Sequence, residues 1–161
     1  MTTAFVALGA NLDGPAQHVT RALRELDSLP QSRVVRRSSL YRTAAVGGPQ
    51  QPDYVNAVAE IDTTLEPGPL LDAMLALEQE HGRRRSVPNA PRTLDLDLLL
   101  YGDRSLDEAG LTLPHPRLHE RAFVLVPLAQ IAPDAMVPGR GRVRDLLGRV
   151  DRSGVEMMDV D

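Results

Sequence analysis

The chain has 161 residues, a formal net charge of −4 and no cysteine. That length suits one domain burying roughly 68–70% of its unfolded surface, and the missing thiols exclude disulfides, thiolate metal sites and thiol nucleophiles. The acidic balance counts against sequence-independent nucleic-acid binding, and because all 18 basic residues are Arg, a Lys-based P-loop is excluded and any phosphate site must use guanidinium forks.

Ala4 to Ala10 reads as a short buried strand, and Asn11-Leu12-Asp13-Gly14-Pro15 as a turn whose Pro suits a first helical turn. The helix that follows has an apolar stripe of Val19, Ala22, Leu23, Leu26 and Leu29 and ends at Pro30. Ser32 to Tyr41 reads as a second strand, and the Gly, Pro and Gln of 44–52 as a loop. Tyr54 to Thr64 alternates, with Val55, Ala57, Ala59 and Ile61 on one side and Tyr54, Asn56, Val58 and Glu60 on the other. Leu70 to His81 is helical with Gly82 as its stop, and a loop from Arg83 leads to a strand that runs into Tyr101. Helices are expected from Arg121 to Ile131 and from Val143 to Val150. The order β-α-β-β-α-β predicts an α+β fold, a ferredoxin-like plait (split βαβ) with C-terminal additions, in a single domain spanning 1–161. Gly9-Ala10-Asn11-Leu12-Asp13-Gly14 has the outline of a nucleotide-binding turn but no following Lys, so an ordinary strand-to-helix turn is the better reading. Met1 to Phe5 lacks the marks of a signal peptide and no apolar run nears about 20 residues, so the expected location is the cytoplasm.

The segment Pro91-Arg92-Thr93-Leu94-Asp95-Leu96-Asp97 carries the chemistry. As a strand it places Leu94, Leu96, Leu98 and Leu100 on one face and projects Asp95 and Asp97 together from the other. Two such carboxylates can hold divalent cations about 3.5–4 Å apart, the separation used in two-metal phosphoryl chemistry. A half-buried strand showing two acids to water is the competing reading, and it is the commoner one for D-x-D alone. Arg92 and the tract Arg83-Arg84-Arg85 shift the balance by placing phosphate-type groups in the same segment. Tyr54 and Asn56 share a face that offers an aromatic surface beside an amide able to donate and accept, suited to a flat heterocycle; an exposed polar sheet face is the equal alternative.

Taken together, Ala7-Leu8-Gly9-Ala10-Asn11-Leu12, Ser39-Leu40-Tyr41-Arg42-Thr43, Gln51-Pro52-Asp53-Tyr54-Val55-Asn56-Ala57, Glu78 with Gly82-Arg83, the Pro91 to Asp97 string, Leu113-Pro114-His115 and Arg121-Ala122-Phe123 resemble the 6-hydroxymethyl-7,8-dihydropterin pyrophosphokinase family. The resemblance covers nearly the whole chain and implies helices on both faces of an antiparallel sheet. It also implies pyrophosphate transfer from ATP to the pterin alcohol in folate biosynthesis, with release of AMP. From charge and hydropathy no nucleic-acid or membrane partner is expected, and a monomer is the expected state. Asp95 and Asp97 would hold two Mg²⁺ ions. Glu78, Arg83, Arg85, Arg92, His115 and Arg121 would bind ATP, with Arg83 and Arg92 joining the two acids in catalysis. Tyr54 and Phe123 would sandwich the pterin while Thr43, Val46 and Asn56 read its edge. The loop Val87-Pro88-Asn89-Ala90 departs from members that carry a Trp there. A palm-like nucleotidyl transferase and a non-catalytic ligand-binding plait are the competing functions: the first is weakened by the acidic balance, the second leaves the phosphate-type and heterocycle-type residues unexplained.

Overall fold

The computed structural model describes residues 1–12, 14–43, 53–82, 93–108 and 110–158. Val46, Arg83, Arg85, Arg92 and the Val87 to Ala90 loop lie outside the described residues. Strand β1 (Thr2–Ala10) leads into α1 (Pro15–Leu26), followed by β2 (Ser32–Arg37), β3 (Tyr41–Thr43) and β4 (Tyr54–Thr63). Next come α2 (Pro67–Glu80), β5 (Asp95–Tyr101), a hairpin of β6 (Leu106–Glu108) and β7 (Leu111–Leu113), and α3 (Ala122–Ile131). A small hairpin of β8 (Met136–Val137) and β9 (Gly141–Arg142), then α4 (Val143–Leu147) and β10 (Val155–Met157), complete the described chain.

The main sheet runs β10-β3-β4-β1-β5, with β2 also on β4, and all of its pairings are antiparallel. Since β1 fills one edge of β4, β2 and β3 share the other, end to end. Alternation along the strands then sorts side chains to two faces. Ala4, Val6, Leu8 and Ala10 join Val55, Ala57, Ala59 and Ile61 under Val19, Leu23 and Leu26 of α1 and Leu70, Met74 and Leu77 of α2. Phe5, Ala7 and Val58 pack on the other face against Val124, Leu125 and Leu128 of α3 and Val143 and Leu146 of α4. Each fully buried Leu contributes about 1.5–3 kcal/mol by leaving water. No helix among the described residues is long and apolar enough to cross a membrane.

The sequence reading departs from this in instructive places. The strand expected over 32–41 is broken at 38–40, where Val58 N–H bonds to the Ser38 hydroxyl rather than to a ladder carbonyl and Ser39 N–H goes to Gln130 on α3. The second helix starts at Pro67 rather than Leu70, because Pro67 and Pro69 occupy a first turn whose N–H groups have no intrahelical partner. The last helix stops at Leu147. Leu100 does not share a face with Leu94, Leu96 and Leu98: Phe5 pairs with Leu100 but Val6 with Leu98, so Leu99 is an extra residue in a β-bulge. Leu99 and Leu100 consequently join the α3 face and Tyr101 returns to the α1 face.

Gly82, at φ 79°, ends α2 as expected for a left-handed C-terminal glycine. Just before it, His81 ties α2 to α1: its Nε2 lies 2.6 Å from Glu25 Oε1 and its Nδ1 2.6 Å from His18 Nδ1. A carboxylate can only accept, so the proton on that side belongs to His81 Nε2.

Candidate active site

The site grows out of the register of four strands. Tyr41, Asn56, Gly9 and Asp95 form one row across β3, β4, β1 and β5, while Val58, Ala7 and Asp97 form the next row towards α3. Neighbouring strands are about 4.8 Å apart, so Asn56 and Asp95 are separated by two steps, roughly 10 Å, with only glycine between them. Thr43 pairs with Tyr54 just beyond the first row. These rows floor a cavity of about 460 Å³ lined by Ala7, Gly9, Thr43, Tyr54, Asn56, Asp95 and Asp97. Arg117, Glu120, Arg121 and Phe123, where the chain enters α3, line its other side. That volume is ordinary for a small-molecule site.

The electrostatics are concentrated on the Asp side. Arg121 Nη1 stands 3.9 Å from Asp97 Oδ2, and its guanidinium carbon lies 5.5 Å from the centre of the Phe123 ring, a cation–π arrangement. Arg121 therefore touches the acidic end and the aromatic end at once. His115 Nε2 is 3.9 Å from Asp97 Oδ1. Burial, reinforced by the positive charges of Arg121 and Arg117 and opposed by Asp95, lowers the His115 pKa to about 4, so the ring is neutral near pH 7. Its Nδ1 accepts the Arg117 N–H at 3.2 Å, which leaves the ring proton on Nε2, on the side of Asp97. His115 also lines a second cavity of about 560 Å³ between the β6–β7 hairpin and the 137–140 turn.

The far end of the cavity has a different chemistry. Thr43 Oγ1 and Asn56 Oδ1 are buried and find no hydrogen-bond partner among the described residues. Burying a polar atom without a partner costs about 1–3 kcal/mol, and both of these residues line the one cavity, so a ligand whose groups reach the two oxygens would recover that cost. The wall behind them is held from α3: Gln130 Oε1 accepts the Ser39 N–H at 2.9 Å and the Tyr41 O–H at 2.8 Å, and its Nε2 donates to Ser39 Oγ at 2.9 Å.

Of the residues expected from sequence, Asp95, Asp97, Arg121, Thr43, Tyr54, Asn56 and Phe123 line one cavity, and His115 stands against Asp97. Glu78 does not line this cavity. It lies on α2, 2% exposed, and its Oε2 accepts the Leu96 N–H at 2.7 Å, between the two acids along β5. Sequence reasoning quoted Ala7 and Gly9 only within longer segments and gave neither a site role, and it did not single out Glu120. The signal for the first two was present: a strand otherwise rich in larger apolar residues turns small on the face that carries the acids. The two carboxylates fit hard divalent cations, which prefer oxygen ligands. No cluster of three or more His, Asp or Glu able to hold a metal unaided occurs among the described residues.

Comparison with known proteins gives the family. Residues 5–133 match the family model of 7,8-dihydro-6-hydroxymethylpterin-pyrophosphokinase (HPPK). The chain is 44% identical over 154 residues to the 2-amino-4-hydroxy-6-hydroxymethyldihydropteridine pyrophosphokinase of Pseudomonas aeruginosa, covering 96% of this chain and 95% of that one. It is 42% identical over 159 residues to the enzyme of the same name from Methylorubrum extorquens, covering 99% and 100%. In fold it is similar to a Plasmodium falciparum HPPK-DHPS triple mutant crystallised with STZ-DHP, at TM-score 0.73 and 12% identity over 92% of this chain. This chain spans 43% of that longer one. Extensive identity to full-length relatives, together with the family match over most of the chain, establishes that this protein is a member of the 7,8-dihydro-6-hydroxymethylpterin-pyrophosphokinase family.

Proposed function

We propose that the cavity between the Asn56-Gly9-Asp95 row and the start of α3 is where this pyrophosphokinase joins its two substrates, with the pterin over Tyr54, Asn56 and Thr43 and the ATP polyphosphate over Asp95 and Asp97. The reaction moves the pyrophosphoryl group of ATP to the hydroxymethyl group of 6-hydroxymethyl-7,8-dihydropterin in folate biosynthesis. The observation that carries the placement is the pair of unpartnered buried oxygens, Thr43 Oγ1 and Asn56 Oδ1, at the end of the cavity opposite the carboxylates. A pterin edge rich in N–H donors satisfies them, and Tyr54 and Phe123 give its flat ring two aromatic surfaces.

Asp95 and Asp97 are read as the ligands of two Mg²⁺ ions, which when bound supply charge neutralisation on the polyphosphate. Arg121 binds phosphate from the opposite wall, and neutral His115 offers its Nε2–H without adding charge. Arg83, Arg85, Arg92 and Val46 keep the roles that the family resemblance implies, the arginines towards ATP and Val46 towards the pterin. Glu78 serves the site from behind, fixing the strand segment that carries both acids. Since little covalent chemistry is asked of the protein, holding the hydroxyl in line and stabilising charge supply the rate. The strand order β2/β3-β4-β1-β5 supports a split-βαβ, ferredoxin-like plait, with β10 as an added edge strand. A single domain acting as a cytoplasmic monomer is the working arrangement.

The test is product analysis after incubation with ATP, Mg²⁺ and the pterin alcohol. AMP forming in step with the pyrophosphorylated pterin is the expected result. Release of ADP or of free pyrophosphate as the main product, or absence of turnover by folded protein, would overturn it.

A further inference from the structure

We infer that Gly9 is a positioning residue for pterin recognition, kept without a side chain so that the Asn56 amide can lie across β1 into the cavity. The inference rests on the proposed pterin site and adds to it the reason why the amide can be where it is. Gly9 pairs with Asn56 on one side and Asp95 on the other, the midpoint of the row that joins the two ends of the site. A Cβ built on Gly9 meets Asn56 Nδ2 at 2.9 Å, closer than real Cβ contacts come, and otherwise only the Val55 carbonyl oxygen at an unstrained 3.9 Å. The backbone of Gly9 does not need glycine: among the described residues, the glycines with positive φ are 14, 82, 102, 110, 139 and 141. The constraint is therefore the space taken by one side chain. Asn56 is 7% exposed and its Oδ1 is one of the unpartnered oxygens of the cavity, so a methyl group at position 9 moves a recognition group rather than a surface amide.

The experiment is a double-variant cycle on the full chain, with affinity for the pterin alcohol measured by calorimetry in the presence of a nonhydrolysable ATP analogue and Mg²⁺, and affinity for the analogue measured separately. Gly9→Ala is expected to weaken pterin binding about tenfold, the worth of roughly one hydrogen bond, and to leave analogue binding within about twofold. In an Asn56→Ala background the same change is expected to cost less than about twofold, because the group it displaces is gone. Losses that simply multiply, or an unchanged pterin affinity in Gly9→Ala while Asn56→Ala binds weakly, would overturn the inference and leave the site standing. Normal pterin binding by Asn56→Ala would remove the site reading and this inference together. If Gly9→Ala alone fails to fold, Gly9→Ala/Asn56→Ala must fold; failure of both would show that Gly9 answers to something other than Asn56.

Discussion

The strands of the main sheet serve two faces, and the faces differ in how they are finished. On the first, Ala4, Val6, Leu8 and Ala10 of β1 are sealed beneath α1 and α2 in one continuous apolar cluster. On the second, Phe5 lies under α3, whereas Ala7 and Gly9 floor the cavity where α3 begins, beside Asn56, Asp95 and Asp97. Alternation supplies both faces at once, so the acids are held in place by leucines packed one residue away on the other side. Both faces carry a buried core, but the candidate site opens on the second alone, so the first is purely structural, which is the proposition that variants can break.

Leu70→Ala, on the closed face at 0% exposure, is expected to cost about 2–5 kcal/mol in denaturant unfolding. Turnover per folded molecule should hold, and a large kcat loss in the folded fraction would mean that the faces are not separable. Asp95→Ala and Asp97→Ala should do the reverse. Each is expected to lower kcat by roughly 10²–10³, the scale of one electrostatic contact to a transition state, while the unfolding midpoint hardly moves. Near-normal Mg²⁺-dependent AMP formation by the folded double variant would remove the carboxylates from the mechanism.

Within the open face, Tyr54→Ala tests the division between its two ends. The expected loss is up to about tenfold in pterin affinity with ATP-analogue affinity unchanged, read by calorimetry. Equal losses for both ligands would erase that division. The smallest effect should come from Gln130→Ala, which removes the bonds that fasten Ser39 and Tyr41 to α3. A stability loss of about 1 kcal/mol is expected, with the pterin KM rising more than kcat falls. A KM that stays fixed would show that β3 is held well enough by β4 and β10 alone.

Local pattern was enough for much of this protein. The acids at Asp95 and Asp97, the apolar stripe of α1, the alternation of β4 and the Gly82 stop each depend on neighbours within a few residues, so the sequence by itself determined them. The long Pro91 to Asp97 string carried the most specific part of the family resemblance in the same way. What only the tertiary structure decided involves partners far along the chain. Leu100 changes face because β5 inserts Leu99 opposite β1, and a bulge is a property of a strand pair rather than of one strand. The ladder breaks at 38–40 where the Val58 N–H takes the Ser38 hydroxyl and the Ser39 N–H takes Gln130, although the Ser38 N–H still reaches the Val58 carbonyl. Glu78 has no pattern that says which way it points; α2 packing beside β5 brings its carboxylate to the Leu96 N–H. Strands of two or three residues, such as β8, β9 and β10, carry too short an alternation to be seen and are defined by what they pair with. Gly9 was legible as a glycine, but the side chain that needs its empty space comes from 47 positions away, and pairing β1 with β4 is what puts them together.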